Sequence, residues 1–131
     1  MTELQVGQKG RAEIVVEGRN TAKSMGSGSL DVLATPALVA IMEEAAVNAL
    51  ELDEGESTVG TALDIKHLAA TPVGMKVWAE AELVEIDRRR LVFEVNAYDE
   101  VEKIGSGRHE RFMIQAERFL NKTNQKLEKQ E

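Results

Sequence analysis

Between Ala34 and Leu50 the chain reads ATPALVAIMEEAAVNAL, with one proline at its start, no glycine and no alternating pattern. This stretch predicts a single long helix. Thr35 fits the N-cap, and Pro36 fits the first helical position, where a missing N–H costs nothing. The helix is apolar on most sides, so other elements must wrap it. Glu44, Asn48 and Glu51 recur at i, i+4 and i+7 and form one wet stripe. Glu43 lies about 100° away, in line with Val39, Ala40, Val47 and Leu50. A carboxylate among apolar neighbours is either paired and used, or it sits at the edge of the wet face and bends to solvent. Periodicity leaves both open.

What surrounds the helix is strand-like. Residues 10–17 (GRAEIVVE) alternate, with Ala12, Ile14 and Val16 on one face. Residues 18–29 read as a flexible connection, and its tail, residues 24–29 (SMGSGS), as a mobile flap. Beyond the helix, residues 57–68 (STVGTALDIKHL) alternate again. Val59, Thr61, Leu63, Ile65 and His67 fall on one face, and Gly60, Ala62, Asp64 and Lys66 on the other. Residues 75–86 and 91–98 are further strands, joined by the tight connection Asp87-Arg88-Arg89-Arg90. A last strand region, residues 101–119, is interrupted at Gly105-Ser106-Gly107, a sign of a bulge or a close backbone approach. From Asn121 onward the chain is a polar tail or a fraying helix.

Strand, helix, then four strands on short turns implies an antiparallel sheet of about five strands. Such a sheet buries a single early helix only by curling around it. The expected fold is therefore α+β, a hotdog arrangement over residues 1–120 followed by the tail 121–131. An open sheet edge predicts pairing with a second copy, as a homodimer or a tetramer built from dimers.

Composition narrows the function. The chain of 131 residues carries a formal charge of −7, which argues against nucleic-acid or anionic-membrane partners. With no cysteine and two histidines, disulfides, thiolate chemistry and cysteine-ligated zinc are excluded, and no metal site is expected. No signal peptide is recognisable at the N-terminus, and no stretch approaches the ~20 apolar residues of a membrane span, so the expectation is cytoplasmic.

Three residues stand out. Thr35 sits where helix N–H groups and the dipole favour negative charge, unless it serves only as a cap. Glu43 lies two turns on, ~12 Å along the axis. The two flank a substrate or meet through another strand or subunit. His67 lies near a strand end on the apolar side, as a core histidine or a base. A carboxylate near an imidazole fixes its tautomer, and the imidazole can then activate a hydroxyl or water. Gly60 permits close backbone approach for an oxyanion, or is a plain small residue. His109 alternates with Arg108 and Glu110 and reads as part of a salt-bridge ladder. The Arg88-Arg89-Arg90 turn reads as a solvated tip, with phosphates of a nucleotide-bearing substrate as the alternative.

Several segments together resemble the fluoroacetyl-CoA thioesterase-like family of hotdog proteins. They are residues 35–43 (TPALVAIME), 59–61 (VGT), 67–74 (HLAATPVG), 89–91 (RRL) and 104–111 (IGSGRHER), in collinear order across about residues 5–119. The resemblance implies hydrolysis of a short-chain acyl-CoA thioester, with Thr35, Glu43 and His67 as the catalytic set and Gly60 binding the thioester carbonyl. CoA belongs to the substrate, and no cofactor is implied. The fluoroacetyl-specific member is similar but carries a longer, aromatic-rich lid before the helix. Here residues 24–32 (SMGSGSLDV) contain no Phe, so the expectation is a small acyl group without fluoroacetyl selectivity. A non-catalytic ligand-binding hotdog module and a hotdog hydratase or dehydratase are the competing readings.

Overall fold

The computed structural model describes residues 3–129; Met1, Thr2 and the last two residues of the tail lie outside it. Five strands form one antiparallel sheet: β1 (Lys9–Val15), β2 (Glu56–His67), β3 (Lys76–Asp87), β4 (Arg90–Asp99) and β5 (Lys103–Gln115), in the order β1-β3-β4-β5-β2. The expected hotdog architecture is borne out. The sheet wraps helix α2 (Thr35–Asn48), which is preceded by the one-turn helix α1 (Ala22–Met25). Helix α3 (Ala116–Glu128) follows β5.

The core forms where alternation points inward. Val77, Ala79, Ala81 and Leu83 of β3 and Leu91, Phe93, Val95 and Ala97 of β4 are buried against Leu38, Ile41, Met42, Ala45 and Ala46 of α2. Small residues let helix and sheet come close. At Gly10 a Cβ would lie 2.2 Å from the Ala45 carbonyl oxygen, so only glycine fits where β1 crosses α2.

The wrapping is incomplete. Val47 and Ala40 are exposed and Val39 is half-buried, so the side of α2 that carries Glu43 is uncovered. The neighbouring strand β2 is an edge strand, exposed from Gly60 to Asp64.

Four local expectations change. Ala34, with extended backbone, is the N-cap of α2, and Thr35 is already the first helical residue. Residues 18–29 are folded: a 3₁₀ turn (Gly18–Asn20) leads into α1, whose N-cap Thr21 is buried and accepts a hydrogen bond from the Ser24 N–H. The Ala22 and Lys23 N–H groups bond across to the Val32 and Leu30 carbonyls and close this excursion on itself. Strand β5 ends at Gln115, and Ala116–Phe119 continue as α3, because the Ala116 N–H is taken by the Gly55 carbonyl instead of the sheet. Fourth, plain alternation fails in β2. Gly60 pairs with Arg111 and Ala62 with Glu110, leaving Thr61 as an extra residue in a bulge. Residues directly opposite share a face, so Gly60 shares its face with Leu63, Ile65 and His67, opposite Arg111, His109, Gly107 and Gly105.

No helix among the described residues is long and apolar enough to cross a membrane.

Candidate active site

The chain is held from two sides where it enters α2: the Leu33 N–H bonds the Thr71 carbonyl and the Ala34 N–H bonds the Asn20 carbonyl. Because Ala34 takes the cap position, the Thr35 hydroxyl is not used for capping. It lies 2.8 Å from His67 Nδ1. His67 closes β2, and the next residue anchors it, the Leu68 N–H bonding the Ile104 carbonyl. Burial pushes the His67 imidazole below its ordinary pKa, against a smaller upward pull from the Ala69 backbone. In the neutral tautomer with its proton on Nε2, the ring accepts the Thr35 hydroxyl proton at Nδ1. Nε2 is buried with no hydrogen-bond partner among the described residues. A threonine at 2.8 Å from a neutral imidazole is the geometry of an activated hydroxyl.

Glu43 stands two turns further along α2, ~12 Å from Thr35 by helical rise. It faces a different set of groups. The Arg111 Nη1 lies 3.6 Å from Glu43 Oε2. A Cβ placed on Gly60 would come 2.9 Å from the same carboxylate oxygen and 3.2 Å from His109 Cε1. The glycine therefore makes room for the carboxylate. Glu43 remains about 42% exposed while Arg111 is buried.

Arg111 and His109 were not singled out as a site by the sequence. Arg111 Nε donates to Thr58 Oγ1 at 2.8 Å, Nη2 to the Thr58 carbonyl at 3.1 Å, and Nη1 to His109 Nε2 at 3.1 Å. His109 Nδ1 donates to the Ala62 carbonyl at 2.9 Å. These partners assign the neutral tautomer with its proton on Nδ1. Burial is the main cause holding His109 below the usual imidazole value, and the Arg111 charge adds to it. His109 is thus buried and neutral, not a member of an exposed ladder. The ladder belongs to its neighbour: Glu110 pairs with Arg90, which also holds Glu85. The sequence signal was available, since His109 and Arg111 are two apart and share one face of a strand.

Within one chain the expected Glu43–His67 pairing does not form. His67 meets Thr35, and Glu43 meets Arg111 across from Gly60. The reason is helical: eight residues separate Thr35 from Glu43, too far for one imidazole to serve both.

Comparison with known proteins identifies the family. Residues 16–117 match the model of the fluoroacetyl-CoA-specific thioesterase family FlK. The fluoroacetyl-CoA thioesterase of Streptantibioticus cattleyicolor is 39% identical over 131 residues, covering 94% of each chain. A solved FlK variant superposes with a TM-score of 0.88 at 37% identity, covering 96% of this chain and 99% of that one. A thioesterase-superfamily protein from Thermus thermophilus superposes at 0.87 with 28% identity, covering 99% and 100%. With the bent sheet, the central helix and 94% of the chain aligned to a relative at 39% identity, this chain belongs to the fluoroacetyl-CoA-specific thioesterase family, a family of hotdog thioester hydrolases.

Proposed function

We propose that this chain hydrolyses a short-chain acyl-CoA thioester to the free acid and CoA, using Thr35, His67 and Glu43. The observation that carries the reading is the 2.8 Å contact between the Thr35 hydroxyl and His67 Nδ1. His67 takes the hydroxyl proton as Thr35 Oγ1 attacks the thioester carbonyl. The C–S bond breaks and the CoA thiolate leaves, taking that proton. The backbone N–H of Gly60 holds the carbonyl oxygen as it becomes an oxyanion. Glu43 then draws a proton from water, which attacks the Thr35 ester; the ester C–O bond breaks, the acid is freed, and the proton Glu43 took is returned to Thr35 Oγ1. Arg111, locked by Thr58 and His109, orients the Glu43 carboxylate. CoA enters as part of the substrate. The cytoplasm, where CoA thioesters are held, is the compartment this reading implies.

We place the complete site between two copies. The β2 edge and the Val39–Glu43–Val47 side of α2 are both open, and Leu63, Val47 and Leu68 are exposed beside them. An antiparallel pairing of two β2 edges would set the His67 end of one strand beside the Gly60 end of its partner. That brings one chain's Thr35–His67 pair toward the partner's Glu43.

The relatives support a CoA thioester: one solved FlK variant is a complex with acetyl-CoA, and another a complex with fluoroacetate and CoA. Residues 18–34 of this chain contain no aromatic side chain, so the acyl class we propose is short and not selected for fluorine. Thiol release from a panel of short acyl-CoAs tests the reading, and intact-mass analysis of Glu43→Gln should trap an acyl group on Thr35. Ligand binding without thiol release by the native chain, or a change in enoyl absorbance in its place, would reject it in favour of a binding module or a hydratase.

A further inference from the structure

The triple-arginine turn between β3 and β4 plays no part in the chemistry above, yet its three members differ. Arg90 is tied to Glu85 at 2.9 Å and Glu110 at 2.8 Å. Arg89 makes no ion pair among the described residues, and it lines a hollow of about 290 Å³ with Arg118, Phe119 and Lys122 of α3. The hollow is built by the fold: the Met113 N–H bonds the Arg89 carbonyl at 2.8 Å and holds the turn against β5, while the Ala116 N–H bond to Gly55 fixes the start of α3. Arg118 and Lys122 are four residues apart on one helical face and also lack ion-pair partners among the described residues. Like charges at that spacing weaken a helix when nothing neutralises them. In a chain of net charge −7, Arg89, Arg118 and Lys122 converge on one hollow with no ion pair among the described residues to neutralise them, a concentration of positive charge suited to an anion. Glu56 also lines it, with its carboxylate accepting the Asp53 N–H, so the site selects for an anion placed toward the α3 side.

Its position suits one ligand. Met113 lines the hollow and lies two residues beyond Arg111 on the same face of β5, next to Thr58, which Arg111 holds. Strand rise puts the hollow ~7–13 Å from the Glu43–Arg111 pair. The pantetheine arm of CoA runs about thirteen bonds from sulfur to phosphorus, the contour of roughly four extended residues, ~14 Å. Phe119, about 39% exposed, offers a ring face to a base. We propose that Arg89, Arg118 and Lys122 bind the phosphates of the substrate's nucleotide end, with the purine against Phe119. The proposal rests on the thioesterase reading for the identity of the ligand, and on the hollow itself for the binding.

The test compares the native chain with Arg118→Gln/Lys122→Gln, both changes lying on the exposed face of α3. Against a short acyl-CoA, KM should rise about tenfold with kcat nearly unchanged, and the gap should shrink at high salt. Against the matching acyl-pantetheine, which lacks the nucleotide, the two proteins should be alike. Calorimetric titration with adenosine 3′,5′-bisphosphate should show binding to the native chain and at least a tenfold loss in the variant. An unchanged KM for acyl-CoA, or an equal loss with acyl-pantetheine, overturns the nucleotide site while leaving hydrolysis intact. Failure of both thioesters to react defeats the thioesterase reading, and the bisphosphate titration still decides the hollow: no binding by the native chain overturns it.

Discussion

Two clusters two turns apart on α2 are built on opposite principles. Around Arg111 every guanidinium nitrogen is answered: Thr58 gives a hydroxyl and a carbonyl, His109 gives a ring nitrogen, and Glu43 gives a charge. Around Thr35 there is one contact, the 2.8 Å bond to His67, and the other ring nitrogen is buried and unmatched. The first cluster is over-determined and holds its geometry at a cost in any group removed from it. The second is sparse: an exposed hydroxyl and an imidazole joined by a single bond, which the proposed reaction would break. Rigid positioning and chemical readiness are thus divided between the two ends of one helix face.

Mutation should separate these roles. His67→Ala should lower kcat/KM by about 10²–10⁴, the usual worth of a general base, with little change in melting temperature. A large melting shift with modest kinetic loss would reverse the assignment. Mixing inactive Glu43→Gln with inactive His67→Ala after subunit exchange should restore about a quarter of native activity if the site forms between copies, since half the dimers are mixed and each holds one intact site. No recovery from exchanged subunits would place both clusters in service of a single chain. Arg111→Ala should cost about 2–4 kcal/mol in denaturant unfolding, because Thr58, His109 and Glu43 lose a shared partner inside the fold; Thr35→Ala should cost under about 1 kcal/mol. Equal losses would erase the contrast between the clusters. Gly60→Ala should lower kcat/KM about tenfold with a small melting shift, since the new methyl meets the flexible end of Glu43 at 2.9 Å and displaces the carboxylate.

Acid gives the smallest and most graded comparison. Both buried imidazoles have folded pKa values below the ordinary 6.5. The unfolded chain therefore takes up protons first as pH falls, so their stabilisation is complete above about 6.5 and is lost as pH drops through the folded values. Activity should fall over the same range as His67 gains its proton and can no longer accept one. Urea midpoints of His109→Gln should decline less steeply than those of the native chain below pH 6.5, while its activity profile keeps the His67 limb.

The axis of this molecule was legible in its sequence. The helix from Thr35 and the inward residues of β1, β3 and β4 follow from periodicity, because each is buried by regular neighbours. The edge strand β2 was harder. One extra residue at Thr61 reverses the alternation, so Gly60 and His67, which plain counting puts on opposite faces, share one. A bulge is set by its partner strand, and a single-strand pattern does not contain it. The same limit hid Arg111: its partners come from Thr58 and Glu43, more than fifty residues away in the chain, and its neighbours Arg108 and Glu110 suggested an ordinary charged strand. The N-cap moved by one residue because Ala34 is fixed from outside, by the Asn20 carbonyl, and no local propensity records that bond. Thr35, Glu43, His67 and Gly60 were each singled out by the sequence, but which of them meet was not, since that depends on where two helical turns fall against two strands.

At Gly10 the strand backbone touches the helix backbone itself, with no side chain between them. Side chains yield by turning to another rotamer; two main chains in contact have nothing to turn. The helix is thereby clamped along its length as well as across it, and Thr35 and Glu43, riding on it, keep a fixed spacing whatever acyl group arrives. The folded excursion ahead of the helix is held more lightly, its exposed Met25 and Leu30 standing on one short turn and a few hydrogen bonds. A family that changes substrates while keeping its chemistry would be expected to vary that excursion and leave position 10 alone.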